Sequence, residues 1–98
     1  MVKRIGTLAM VIFLLLFFTS GCYYFGAKKE MKNAEQRISD LKGKGGERLV
    51  PYEYSSAENF LEISRMEFNE NDYKAAKGFA QRSKSAAENG LSEVQKKK

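Results

Sequence analysis

The chain has 98 residues, room for one domain at most. With a single Cys and no His it cannot form an internal disulfide, a Cys/His zinc site, or a Ser-His-Asp or Cys-His catalytic set. The net charge of +5 comes from Lys3 and Arg4 at one end and Lys96, Lys97 and Lys98 at the other, so the balanced stretch between has no surplus with which to build a nucleic-acid face.

The first predicted element is an export signal over residues 1–21. Lys3 and Arg4 are its positive start, Ile5 to Phe18 is an uncharged apolar run, and Thr19-Ser20-Gly21 are the small or polar residues before Cys22. An uncleaved membrane anchor is the competing reading. It needs about 20 apolar residues; Ile5–Phe18 is shorter, although Tyr23, Tyr24 and Phe25 would prolong it.

The only Cys decides between these readings. Phe18-Thr19-Ser20-Gly21-Cys22 resembles the lipobox of bacterial lipoproteins, with Thr19 where Leu is usual. The resemblance implies a diacylglyceryl group on the Cys22 sulfur, cleavage between Gly21 and Cys22, and acylation of the new amine. A thiol suits this chemistry because it is readily alkylated near neutral pH. A chain held by two or more acyl groups stays on the membrane, at ~0.8 kcal/mol per buried methylene. Tyr23 follows the Cys where inner-membrane lipoproteins of enteric bacteria carry Asp, so the resemblance implies the outer membrane, facing the periplasm. Two readings are open for the next residues. Tyr23-Tyr24-Phe25 with Lys28, Lys29 and Lys32 meet the lipid headgroups, or they form a flexible tether with solvated charges.

Residues 22–98 are expected to be all-α: one helix, then an antiparallel helical hairpin, a small three-helix unit. Ala27, Met31, Ala34, Ile38 and Leu41 recur at steps of four and three. The same steps join Tyr54, Ala57, Leu61, Ser64 and Phe68, and then Tyr73, Ala76, Ala80, Ser83, Ala87, Gly90 and Val94. Each set forms one stripe on a helix; Phe60 and Ile63 widen the second, Phe79 and Ala86 the third. Lys42-Gly43-Lys44-Gly45-Gly46 ends the first helix with flexible or left-handed backbone. Pro51 opens the second, because its missing N–H is not needed in a first turn. Asn69 to Asp72 is a polar turn, with Asn71 or Asp72 as cap for the third helix. Asn89-Gly90 is a point where that helix either ends or is carried on by Leu91 and Val94. The chain thus divides into residues 1–21 (signal), 22–50 (lipid-anchored start, first helix, Gly-rich linker) and 51–98 (hairpin with basic tail).

Tyr52-Glu53-Tyr54-Ser55-Ser56-Ala57-Glu58, Leu61, Asn71-Asp72-Tyr73-Lys74-Ala75-Ala76 and Phe79-Ala80 are similar to a helical-hairpin domain of unknown function in bacterial envelope lipoproteins, and resemble one tetratricopeptide unit. Tetratricopeptide arrays need about three repeats to build a groove, so one hairpin implies no peptide site.

No chemistry-bearing set is expected. Glu53, Glu58, Glu62, Glu67 and Glu70 read as a solvated helix face rather than as opposed carboxylates of a glycosidase. Gly43, Gly45 and Gly46 lack the preceding strand and the closing Gly-Lys-Ser/Thr of a phosphate loop. Tyr52 and Tyr54 read as core or interface rings. No cofactor or metal site is expected, and no enzyme activity. Lys98 has two readings: a solvated basic tail, or covalent attachment to peptidoglycan, since Lys96-Lys97-Lys98 resembles the ending of the murein lipoproteins. The function expected is that of a non-catalytic scaffold or accessory subunit with an envelope protein as partner; the alternative is a cell-wall tether through the C-terminal lysines.

Overall fold

The computed structural model describes residues 2–97, with the side chains of residues 2–5 and 15–22 outside that description. The described residues form α1 (Val2–Gly43), α2 (Gly46–Leu49), α3 (Pro51–Asn69) and α4 (Tyr73–Lys97), and none is in a strand. The all-α expectation therefore holds. Among the described residues no helix is long and apolar enough to cross a membrane.

The element boundaries follow local chemistry. α1 ends at Gly43, and Gly45 takes a left-handed conformation at φ 81°, which glycine adopts without steric cost. Instead of open linker, the next residues form the single turn α2. Val50 donates its N–H to the Gly46 carbonyl at 2.8 Å and accepts from the Tyr54 N–H at 3.0 Å, so it serves both α2 and α3. Pro51 opens α3, as expected.

The α3–α4 turn is built from two caps. Asn71 has φ 66°, a left-handed position that Asn tolerates better than most residues. Its N–H bonds the Phe68 carbonyl at 3.0 Å, and the Asp72 N–H bonds the Glu67 carbonyl at 2.9 Å. That is the Schellman pattern that satisfies the last carbonyls of a helix. Asp72 then accepts the Ala75 N–H on its Oδ1 at 3.2 Å, capping α4. Asp72→Ala is expected to remove about 1 kcal/mol of stability, read as a lower urea midpoint with an unchanged slope.

Two buried serines report the register of the hairpin. Ser64 Oγ donates to the Ala76 carbonyl and Ser83 Oγ to the Ala57 carbonyl, each at 2.6 Å. Moving back along α3 from Ser64 to Ala57 matches moving forward along α4 from Ala76 to Ser83, so the two helices are antiparallel. Only side chains as small as Ala, Ser and Gly let backbones approach within reach of a serine hydroxyl. Ala57, Ser64, Ala76, Ala80, Ser83 and Ala87 are accordingly all fully buried.

α1 runs the other way relative to α3 and parallel to α4. A Cβ on Gly26 would meet Lys77 at 3.2 Å, Glu30 pairs with Lys84 at 3.4 Å, Arg37 with Glu88 at 3.5 Å, and Leu41 faces Gly90. Ala34, Ile38 and Leu41 of α1 share one core with Val50, Tyr54, Ala57 and Leu61, and with Ala87 and Val94 of α4. Before Tyr23, α1 projects beyond this core, and its Leu8, Met10, Val11, Ile12, Phe13 and Leu14 are exposed. The molecule is therefore elongated, 70 × 23 × 15 Å.

Asn89-Gly90 does not end α4. Gly90 is buried under Leu41, and the helix continues to Lys97. Tyr52 is not a core ring: it is 78% exposed, because the α3 stripe runs through Tyr54 instead.

Candidate functional site

Of the sequence-predicted site residues, the side chains of Gly21 and Cys22 and the whole of Lys98 lie outside the described residues. The geometry begins immediately beyond Cys22, where α1 passes the α3–α4 turn. The Tyr24 ring lies 5.4 Å from Phe68 and 5.0 Å from Tyr73, and Phe68 lies 5.1 Å from Tyr73. Phe25 meets Tyr24 edge-on at 5.4 Å and is itself 71% exposed. Edge-to-face ring pairs of this kind add ~1 kcal/mol each beyond their buried area. Lys28 Nζ stands 5.0 Å from the Tyr24 ring centre and Lys77 Nζ 5.8 Å from that of Tyr23. The Tyr73 hydroxyl donates to Asn71 Oδ1 at 2.9 Å, tying the ring to its own turn.

Tyr24 and Phe25 were legible as ring-bearing neighbours of Cys22. Phe68 and Tyr73 were legible only as ends of two helical stripes. Nothing in the spacing joins them to residue 24, because that contact depends on how far α1 is slid along α4.

The opposite end of the bundle carries the basic tail. Lys97 Nζ donates to the Leu49 carbonyl at 2.8 Å, and Lys96 pairs with Glu93 at 3.3 Å. Lys97 thus fastens the end of α4 to α2, a role that a purely solvated tail does not include.

Between α1 and α3 lies an open groove of about 570 Å³. Ile38, Tyr54 and Leu61 form its apolar floor, Glu58 and Glu62 stand on its rim, and the Arg65–Glu35 pair at 2.8 Å spans it. Both partners of that pair are about half exposed, so it contributes well under 1 kcal/mol. Glu58, Glu62 and Glu70 are exposed while Glu53 and Glu67 are half-buried. Among the described residues no group of His, Cys, Asp or Glu is disposed to hold a metal.

Hydrogen bonding to Glu58, burial, and the negative charges of Glu58 and Glu47 push the pKa of the Tyr54 hydroxyl up from 10.0 to about 12. The folded state holds this proton more tightly than the unfolded chain. The contribution to stability is therefore complete below pH 10 and is lost as pH rises from 10 towards 12. Denaturation midpoints measured across that range are expected to fall less steeply for Tyr54→Phe than for the parent chain. Equal slopes would remove the Tyr54 proton as a contributor to stability over that range.

No protein-family model matches the chain, and no match is found among curated proteins or solved structures.

Proposed function

We propose that this chain is a lipid-anchored bacterial envelope protein whose helical body acts as a non-catalytic scaffold or accessory subunit. Residues 1–21 are the export signal, Cys22 carries the acyl groups, and residues 22–98 form one helix plus a helical hairpin on the periplasmic side of the outer membrane. One observation carries the reading: a charge pair, an uncharged apolar run, Thr19-Ser20-Gly21 and the only cysteine occur in that order. Two features support it. The apolar residues Leu8 to Leu14 have no cover from the rest of the fold, as expected of a segment that is read by an export machinery and not packed. The body spends its apolar residues on helix packing.

The test is the intact mass of the chain extracted from membranes. Loss of Met1 to Gly21 together with the added mass of two or three acyl chains is the expected result. An intact initiator Met with an unmodified thiol would sink the reading.

A wall tether through Lys98 is the second reading, supported by the parallel course of α1 and α4, which sets Lys97 at the end of the bundle away from Tyr23. Muropeptides from digested cell wall would then carry a C-terminal peptide of this chain; their absence removes the tether.

A further inference from the structure

We infer that the α3–α4 turn and the rings around Tyr24 form a membrane-seating surface for the headgroup layer of a zwitterionic phospholipid bilayer, so that the body stands end-on upon the membrane. The inference rests on the lipid-anchor reading and follows from axial distance. Cys22 and Tyr24 are two residues apart in α1, a rise of about 3 Å. Tyr24 is in ring contact with Phe68 and Tyr73, which flank the Asn69–Asp72 turn. The turn therefore lies at nearly the same height as the lipid attachment point, although it is more than forty residues away in sequence. The headgroup layer on each side of a bilayer is about 5–7 Å deep. With the acyl chains of Cys22 in the hydrocarbon, Phe68, Tyr73 and the turn fall inside that layer.

The side chains there fit such a location. Tyr and its ring neighbours favour the depth at which one edge is wet and the other dry. Phe25 and Met66 are 71% and 57% exposed at this end. The lysines at this end, Lys28, Lys29, Lys32, Lys74 and Lys77, outnumber Glu30, Glu67, Glu70 and Asp72 by one. A surplus of one charge gives only a weak pull towards an anionic surface, so the occupant assigned is a zwitterionic headgroup held by rings and apolar side chains. The flexible-tether reading of residues 23–32 is overturned, because α1 is continuous there and Tyr24 packs on Phe68 and Tyr73.

The chain contains no Trp, so one introduced indole is a clean probe. The full chain, extracted from membranes and returned to phosphatidylcholine vesicles containing brominated lipid, is compared as Phe68→Trp, Met66→Trp and Tyr52→Trp. Phe68→Trp keeps an aromatic ring in place, Met66 and Tyr52 are exposed, and helical circular dichroism checks each fold. The expected result is emission shifted to the blue and quenched several-fold more at positions 66 and 68 than at position 52. Equal quenching at all three positions in acylated protein overturns the seating surface and leaves the anchor standing. Strong quenching at 66 and 68 in protein whose intact mass lacks acyl groups overturns the anchor and leaves the surface standing. A difference that appears only when anionic lipid is added overturns the zwitterionic assignment.

Discussion

Gly46→Ala is expected to cost about 3 kcal/mol, at the upper end of the range for overpacking a closed core, and to lower the melting temperature by roughly 15 °C. A Cβ at this position would lie 2.4 Å from Leu41 Cγ, 2.5 Å from Leu41 Cδ1 and 2.8 Å from the Leu41 carbonyl oxygen. The first two atoms belong to a fully buried side chain and the third to the backbone of α1, so none of them moves freely. Gly46 also begins α2 and accepts the Val50 N–H, which holds α2 against α3. Shifting it transmits strain into Val50 and Tyr54. Gly45→Ala tests the other kind of glycine. Its Cβ meets only Leu49 Cδ1, at 3.6 Å, and its burden is the left-handed φ of 81°, a cost of about 1–2 kcal/mol. Thermal melts in which Gly46→Ala is as stable as the parent chain would remove the close approach as a determinant of the fold.

These two glycines show where sequence reasoning reaches its limit. The run Lys42 to Gly46 is legible as a helix stop, and Gly45 performs that task through its own backbone preference. Gly46 looks identical in sequence, yet its role is set by a leucine five residues earlier folding back over it. The α4 stripe from Tyr73 to Val94 was readable in full because each member obeys a spacing internal to one helix. Asp72 was readable as a cap for the same reason. Gly90 belongs to that stripe by spacing, but its composition also suggests a helix end, and only the arrival of Leu41 decides in favour of burial. Val50 is fully buried between two short-range turns and belongs to no periodic stripe, so the pattern passes over it. The Tyr24–Phe68–Tyr73 cluster has the same origin. Each ring is visible locally, while their meeting is a property of how α1 is slid along α4.

The parallel pairing of α1 with α4 has a functional corollary. α1 beyond the cluster and α4 both lead away from Cys22, and the 25 residues of α4 extend about 37 Å. In the proposed anchoring, Lys96 and Lys97 would stand at the end of the bundle away from the lipid, where Lys97 is fastened to the Leu49 carbonyl.

Leu41→Ala is expected to remove about 3 kcal/mol, since Leu41 is wholly buried where α1 crosses Gly46 and Gly90. Its more telling effect is on the glycines. In the parent chain a Cβ on Gly90 would lie 2.8 Å from Leu41 Cδ2 and 3.2 Å from Glu53 Cβ. Gly90→Ala should therefore destabilise by about 1 kcal/mol, the overpacking cost outweighing the helix preference of ~1 kcal/mol that Ala holds over Gly. With Leu41 shortened to Ala the 2.8 Å contact is gone, while Glu53 Cβ at 3.2 Å remains and offsets part of the helix preference, so the same substitution should stabilise by roughly 0.5 kcal/mol. A coupling of about 1.5 kcal/mol with reversed sign is the signature of direct contact. Gly46→Ala in the Leu41→Ala background supplies the contrast. The Leu41 carbonyl oxygen stays 2.8 Å from the added methyl whatever the side chain, so this substitution should remain destabilising. Urea midpoints for the two double variants that move in the same direction would refute the assignment of side-chain contact to Gly90 and backbone contact to Gly46.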